Sequence, residues 1–371
     1  MLLCLWLQII VDTPEPSLKV VNVANDQKIE LFAGQTVTLT TDTSIPASTQ
    51  FLPVNSPDLT KVEKVEGNSV ICICNDNATL DGGRIMVNLA KYRSEMPSIF
   101  PQEEVEAELS RWDQPNLVDF VEISCIRTAA DVIEMRSFLS KTRYMRDTKI
   151  IAKIESRQGL AHFNSILEEA DGIMLSRGDL GLAIPIEKIV QAQKYIVRRC
   201  NLVAKPVIVT RVLDSMVNVP APTRAEATDV ANAVLDENVF NKEAYSKYLA
   251  KNLQSPMPNT LAVAASAVRA ASKVKARLII CFTSTGKVPR LTASFRPNIP
   301  ILSVVLPTLS VGNNLRWTAS GAMQARQTLL SSGLIPILAD PRGGPTNKHL
   351  HDAFQVGKKL GLVRPVPDVV G

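Results

Sequence analysis

Lys153 and Glu155 stand two residues apart at the end of the apolar run Ile150-Ile151-Ala152-Lys153-Ile154-Glu155, and Asp179 follows a second such run, Gly172-Ile173-Met174-Leu175. Side chains two apart on a strand share a face. Lys153 and Glu155 therefore point the same way from one strand end. Asp179 falls just past the next strand, in Arg177-Gly178-Asp179-Leu180-Gly181, where the glycines predict a tight turn. Parallel α/β sheets do their chemistry at these strand ends. One ammonium and two carboxylates there would hold a divalent metal beside a charged substrate. Two carboxylates suit magnesium or manganese, which keep waters and substrate oxygens as further ligands. On spacing alone a same-face ion pair explains Lys153 and Glu155 equally well, and Asp179 equally fits a helix cap.

The elements that must position these residues are legible around them. Strands are predicted at 118–123, 149–154, 172–175 and 206–209, interleaved with helices at 128–142, 159–169, 185–201 and 223–235. Four βα units in series predict a parallel sheet or barrel with right-handed crossovers. Before them, a helix through Trp112 opens at Pro101-Gln102-Glu103-Glu104. Alternating segments at 18–23, 28–32, 36–40, 69–74 and 84–89, with a turn at Ala33-Gly34, predict a small all-β module ending near Met96-Pro97. Residues 237–256 are polar and helix-prone. A further α/β block follows, with helices at 260–274, 324–331 and 348–360 and strands at 276–282, 300–306 and 334–339. The apolar N-terminal run, residues 1–11, lacks a basic start and a small-residue cleavage site. It is also too short to span a bilayer, and is expected to be a buried barrel strand.

Composition narrows the partners. The chain has 371 residues, 46% hydrophobic and 21% charged, as in a soluble protein of two or three domains. Lys+Arg 41 against Asp+Glu 36 gives a net charge of only +5, without a basic block, so neither nucleic acid nor membrane is an expected partner. Of six cysteines only Cys72 and Cys74 are close, at a spacing unlike structural zinc sites, and the three histidines lie far from any ligand pair. Thiols serving as small apolar residues in a reduced, cytoplasmic protein is the better reading. Cys281-Phe282-Thr283-Ser284-Thr285-Gly286-Lys287-Val288 fails the nucleotide P-loop pattern at both ends, with Cys281 for glycine and Val288 for Ser/Thr. It remains a candidate anion-accepting strand-to-helix turn.

Together these residues resemble pyruvate kinase of the plant cytosolic type. The resemblance rests on Ala152-Lys153-Ile154-Glu155 and Ser176-Arg177-Gly178-Asp179-Leu180-Gly181, with Val209-Thr210-Arg211-Val212-Leu213-Asp214-Ser215-Met216, Pro222-Thr223-Arg224-Ala225-Glu226, the run Asp229–Asp236 and the block from Ser266 to Ser284. It runs from about residue 9 to about residue 360. It implies a (β/α)8 TIM barrel, an inserted small β-domain and a C-terminal α/β domain. Here these fall at 1–17 with 97–250, at 18–96, and at 257–371. It further implies phosphoryl transfer from phosphoenolpyruvate to ADP, giving pyruvate and ATP, with Mg²⁺ and K⁺, in a cytoplasmic homo-oligomer that is a tetramer in the family. By the resemblance, Lys153 neutralises the transferring phosphoryl group and the forming enolate. Glu155 and Asp179 hold Mg²⁺, and the backbone at Arg177 and Gly178 binds the substrate carboxylate. Thr210 lies near the carbon that takes the proton, and Asp12 and Thr13 are K⁺ ligands.

Departures from the family pattern set a second expectation. The first two barrel strands, a phosphate-gripping arginine and two further K⁺ ligands have no counterpart, nor has an eighth strand after Asp236. The β-domain is shortened between Leu59 and Ser69, and the pattern stops short of the C-terminal domain's last strands. Five barrel strands are expected where closure needs eight. An inactive fragment that only associates with complete subunits is therefore the alternative to an enzyme. An aldolase-like barrel acting on related substrates fits Lys153, Glu155 and Asp179, but not the motifs from Thr210 to Asp236.

Overall fold

The computed structural model describes residues 2–3, 8–13, 20, 22–23, 28–54, 65–66, 69–74, 78–80, 102–114, 118–236, 245, 249, 252–253, 256–311, 317–342 and 346–363. The strand expected at 84–89 and most of 237–256 lie outside these residues. At the centre is a five-stranded parallel sheet in the order Val207–Val209, Gly172–Leu175, Lys149–Ile154, Phe120–Ile123, Ile10–Asp12. Among the described residues it does not close into a barrel. The five expected strands are thus present, as an open arc.

Alternation along each strand divides two environments. Ile150, Ala152 and Ile154 point outward with Val121, Ile123, Ile173 and Leu175, into a core built with Val132, Met135 and Leu139 of helix Ala129–Lys141 and with Ile196 of helix Ile189–Leu202. Phe120, Ile151 and Met174 point the other way, into what would be a barrel interior, and pack with Ile208 and Leu330. Burial on both faces explains why these strands read as continuous apolar runs. Lys153 belongs to this inner face, two residues beyond Ile151.

Leu330 comes from the C-terminal unit, which is bolted onto the open arc. The Arg326 guanidinium meets Asp119 with Nε 2.9 and 3.0 Å from the two carboxylate oxygens, and the Asp119 side chain is fully buried (0% exposed). Gln327 donates from Nε2 to the carbonyls of Asp119 (3.1 Å) and Asp147 (3.0 Å). Asp119 also accepts the Ile9 amide at 3.1 Å. This unit has its own sheet, ordered Leu2–Leu3, Leu334–Leu338, Ile301–Val305, Ile279–Thr283; the last three strands are parallel. Leu2–Leu3 pairs antiparallel with Leu338 and Ile337. The expectation of one barrel strand through the first eleven residues is therefore corrected. Among the described residues of that run, only Ile10–Asp12 joins the barrel sheet, while Leu2–Leu3 pairs in the C-terminal sheet.

The β-module pairs Phe51–Pro53, Thr36–Thr40, Ser69–Ile73 and Val65–Glu66 in one sheet, with Ile29–Leu31 against Ala78–Leu80 beside it. Cys72 and Cys74 are free thiols packed on its apolar core. Two other segments differ from expectation. The helix predicted over 159–169 is interrupted at His162, where φ −95° and ψ 14° leave the helical range. Its first turn lies close on the chain: a Cβ on Gly159 would stand 2.5 Å from the Ile126 carbonyl oxygen. The helix predicted from 185 begins instead with a 3-10 turn, Ile186–Lys188. The strand-to-helix turn after Cys281 does lead into a helix, Lys287–Ser294, whose extent the sequence did not delimit because Pro289 and Thr292 lower its propensity; proline is tolerated in a first turn, where amides lack helical acceptors.

Candidate active site

Lys153 and Glu155 do share a face. The Lys153 ammonium lies 3.3 Å from Glu155 Oε1, and both residues are buried (8% and 2% exposed). Glu155 is held by its other oxygen, which accepts the Cys125 amide at 2.7 Å. A second carboxylate, missed in the sequence, sits 3.2 Å from the same ammonium: Glu122, on the neighbouring strand and 4% exposed. The pairing of Ala152 with Ile123 sets Glu122 beside Lys153 across the sheet. The signal was there in Phe120-Val121-Glu122-Ile123, an acid inside a buried strand. Asp12, at the end of the edge strand, completes the group at 4.0 Å.

Two buried carboxylates share one ammonium, with the exposed Asp12 at the margin, and this leaves excess negative charge on Glu122 and Glu155 in a poorly hydrated place. The Glu122 carboxyl is pushed up to about 7, first by burial and then by Asp12 and Glu155, against the attraction of Lys153. Its Oε1 atom is buried and accepts no hydrogen bond, although it faces the ammonium. An acidic, under-satisfied pocket of this kind fits a cation. Among the described residues no three His, Cys, Asp or Glu side chains converge in a ready-made metal cage. A divalent ion would thus share its coordination between protein carboxylates and substrate or water oxygens.

Asp179 is on the adjoining strand end but in a different local structure from the expected turn. It lies in the first turn of helix Arg177–Ala183, and Ser176 donates its hydroxyl to the carboxylate at 2.5 Å. The glycines of this stretch hid the helix from propensity. Strand pairing sets Ile154 opposite Leu175, so Glu155 and Ser176 emerge side by side. Gly178 lies against the Arg211 side chain, whose Nη1 would stand 2.8 Å from a Cβ placed there.

The Arg177 side chain is engaged within the chain. Its guanidinium donates to the carbonyls of Thr210 (3.2 Å) and Arg211 (2.6 Å) and pairs with Asp229 at 2.9 Å. It fixes the loop after strand Val207–Val209. Thr210 begins that loop, with its amide (3.2 Å) and hydroxyl (3.3 Å) both donating to the Leu175 carbonyl. On the other side, Thr13 is buried and accepts the Ser124 amide on Oγ1 at 3.2 Å. The Ser124 hydroxyl reaches the Thr13 carbonyl at 3.2 Å and Asp12 Oδ1 at 3.4 Å. Asp12, Thr13 and Ser124 thus form one oxygen-rich corner, of which Ser124 was not foreseen.

Two motif readings are refined. In Pro222-Thr223-Arg224-Ala225-Glu226, Glu226 accepts the amides of Ser215 and Thr223, both at 2.8 Å, and the hydroxyls of both residues. These bonds, the Ser215 hydroxyl first, hold its carboxyl down at about 2. The motif is a helix cap that also anchors the preceding loop. In the turn after Cys281, Thr283 Oγ1 accepts the amides of Thr285 (3.3 Å) and Gly286 (2.9 Å), and Thr285 Oγ1 accepts that of Lys287 (3.4 Å). Three amides that an anion could have used are already engaged.

A buried lysine among carboxylates at the carboxyl ends of parallel strands, beside an inserted β-module and a separate α/β unit, defines a barrel-derived α/β enzyme. Comparison with known proteins then specifies it. The family model described as "Pyruvate kinase, barrel domain" matches residues 58–239, and that for "Pyruvate kinase, alpha/beta domain" matches 261–371. "Pyruvate kinase 2, cytosolic" of Oryza sativa subsp. indica is 39% identical, covering 98% of this chain and 80% of that protein. The cytosolic isozyme of Glycine max is 34% identical, over 98% and 81%. A crystal structure of Cryptosporidium parvum pyruvate kinase superposes with a TM-score of 0.79 at 26% identity, covering 96% of this chain and 81% of that one. The chain belongs to the pyruvate kinase family. The rice alignment runs over 425 residues against the 371 of this chain, so the relative carries internal residues without a counterpart here. The open arc of strands agrees with that.

Proposed function

We propose that this chain catalyses the pyruvate kinase reaction, moving a phosphoryl group from the enol oxygen of phosphoenolpyruvate to the terminal phosphate of ADP. The observation that carries the proposal is the buried Lys153 ammonium, held at a strand end by Glu122 and Glu155. A fixed cation in a dry site stabilises charge developing on a transferring phosphoryl group without reorganisation at the moment of reaction. Lys153 would serve the phosphoryl group and the enolate left behind, and the proton completing pyruvate would arrive near Thr210. Backbone amides at Arg177 and Gly178 would take the substrate carboxylate, while the Arg177 side chain keeps the Thr210 loop in place. Glu155 and Asp179 would hold Mg²⁺, which screens the charge between substrate oxygens. Asp12 and Thr13, with Ser124 between them, would hold K⁺. As in the relatives named cytosolic, the setting would be the cytoplasm, and the working form a homo-oligomer. Among the described residues no helix is long and apolar enough to cross a membrane.

A coupled assay of pyruvate formation from phosphoenolpyruvate and ADP, with Mg²⁺ and K⁺, tests the proposal. Turnover should be present in the native chain and fall by roughly 10²–10³ or more in Lys153→Met, the range for loss of one preorganised charge-stabilising group. Absence of turnover at high protein concentration, or its survival in Lys153→Met, would refute it. The open arc favours one second reading: a chain that associates with complete subunits without turning over. Co-expression with a complete subunit would then yield mixed oligomers, and recovery of separate species only would exclude it.

A further inference from the structure

At the opposite end of the arc from Lys153, where the chain enters strand Val207–Val209, a cavity of about 130 Å³ separates the sheet from the C-terminal unit. Asn201 and Lys205 line one side, and Arg290, Arg296, Ser331 and Ser332 the other. Three cations around so small a space call for an account of their partners. Lys205 donates to the carbonyls of Leu167 (2.6 Å) and Glu168 (2.8 Å), leaving one of its three N–H groups to spare. Arg296 lies over the Tyr245 ring at 5.3 Å and donates to Asn201 Oδ1 at 3.4 Å. Arg290, on helix Lys287–Ser294, has no side-chain hydrogen bond or ion pair among the described residues. The carboxylate that influences it is Asp171, already paired with Arg136 at 3.0 Å and Lys149 at 3.2 Å.

Arg290 is half-buried, and a guanidinium partly withdrawn from water without a protein partner is unusual, since charges taken out of water are normally paired. Burial accordingly pulls the Arg290 group below its ordinary value, against the pull of Asp171. We propose that this cavity is an anion site for a phosphate group, with Arg290 as its planar fork and Lys205 and the Ser331 and Ser332 hydroxyls as further donors. Phosphate geometry matches the two parallel N–H groups of arginine. The volume, about four waters' share of liquid at ~30 Å³ each, admits inorganic phosphate or the head of a small phosphomonoester. It is smaller than the roughly 300 Å³ and more of a pocket that encloses a drug-sized ligand, so the phosphate group is the part it would hold. Bound there, the anion would bridge the parallel sheet and the C-terminal unit.

Calorimetric titration of the full chain with inorganic phosphate, against chloride at equal ionic strength, tests this. Saturable binding is expected. Arg290→Gln should weaken it at least tenfold and Arg290→Lys by less, whereas Lys287→Gln, at the turn after Thr283, should leave it unchanged. Circular dichroism checks that each variant is folded, and Arg290→Lys carries the test should the glutamine variant not fold. Competition by glycerol phosphate would assign the source to phosphomonoesters; its absence, with phosphate binding intact, would assign it to the free ion. No binding by the native chain, equal binding by both Arg290 variants, or loss of binding in Lys287→Gln alone would overturn the proposal.

Discussion

Replacing Arg326 by alanine should separate the sheet from the C-terminal unit more effectively than any other single change. Arg326 is the counterion of Asp119, whose side chain is 0% exposed, through Nε and Nη2 contacts of 2.9–3.0 Å. Removing it leaves a buried carboxylate with one remaining donor, the Ile9 amide at 3.1 Å. Breaking a buried pair from one side costs about 3–5 kcal/mol, because the remaining charge can neither hydrate nor pair. In cooperative units of 150–250 residues each kcal/mol moves the melting midpoint by about 2–4 °C, so Arg326→Ala should lower it by roughly 6–20 °C. Differential scanning calorimetry reads this directly, and the single endotherm should split as the two units lose their coupling. Removing both charges, with Asp119→Leu added to Arg326→Leu, should restore most of the loss. About 1 kcal/mol should remain for the orphaned Ile9 amide. A drop of less than 2 °C in Arg326→Ala, or a double variant no better than the single one, would show that the contact is screened and the joint held by other means.

Two further outcomes follow from the titrating groups. The Glu122 carboxyl is raised from 4.5 to about 7, so between these values the folded chain binds more protons than the unfolded one. Stability should therefore fall as pH rises from about 4.5 through about 7, by about 1–3 kcal/mol for this group. Glu122→Gln should flatten that slope in urea titrations, and an unchanged slope would mean that Glu122 ionises normally. Glu226 is shifted the other way, to about 2, so its bonds should persist above pH 4.5 and weaken only as pH falls through about 2. Glu226→Ala should accelerate amide exchange at Ser215 and in the first turn of helix Arg224–Asp236 at neutral pH; unchanged protection there would refute its capping role.

The residues that declared themselves in the sequence did so through period and punctuation. Lys153 and Glu155 were placed on one face by the two-residue repeat alone, and four parallel strands by apolar runs; that the set would stay open came from the departures from the family pattern. What stayed hidden depends on pairing between distant segments. Glu122 and Ser124 enter the site through the register of Phe120–Ile123 against Lys149–Ile154, which no local window contains. The helix holding Asp179 was masked by its own glycines. Arg326 and Gln327 look like solvent-facing residues of a short helix until the sheet they clasp is in place. The position of Leu2–Leu3 had no local signal either: it follows from an unpaired edge more than 330 residues away.

That last pairing has a bearing on how the molecule is made. Leu2–Leu3 is made more than 330 residues before its partner strand, Leu334–Leu338. Ile10–Asp12 meanwhile waits for Phe120–Ile123. The two sheets are therefore not beads completed one after another; the start of the chain is threaded into both. Contacts this far apart along the chain make for slow assembly and leave strand edges bare for longer. Emergence of Leu334–Leu338, rather than completion of the first sheet, becomes the event that allows the two sheets to lock. A nascent chain stalled before residue 334 would be expected to bind chaperones that recognise exposed edges, and one extended well past residue 338 to let go of them.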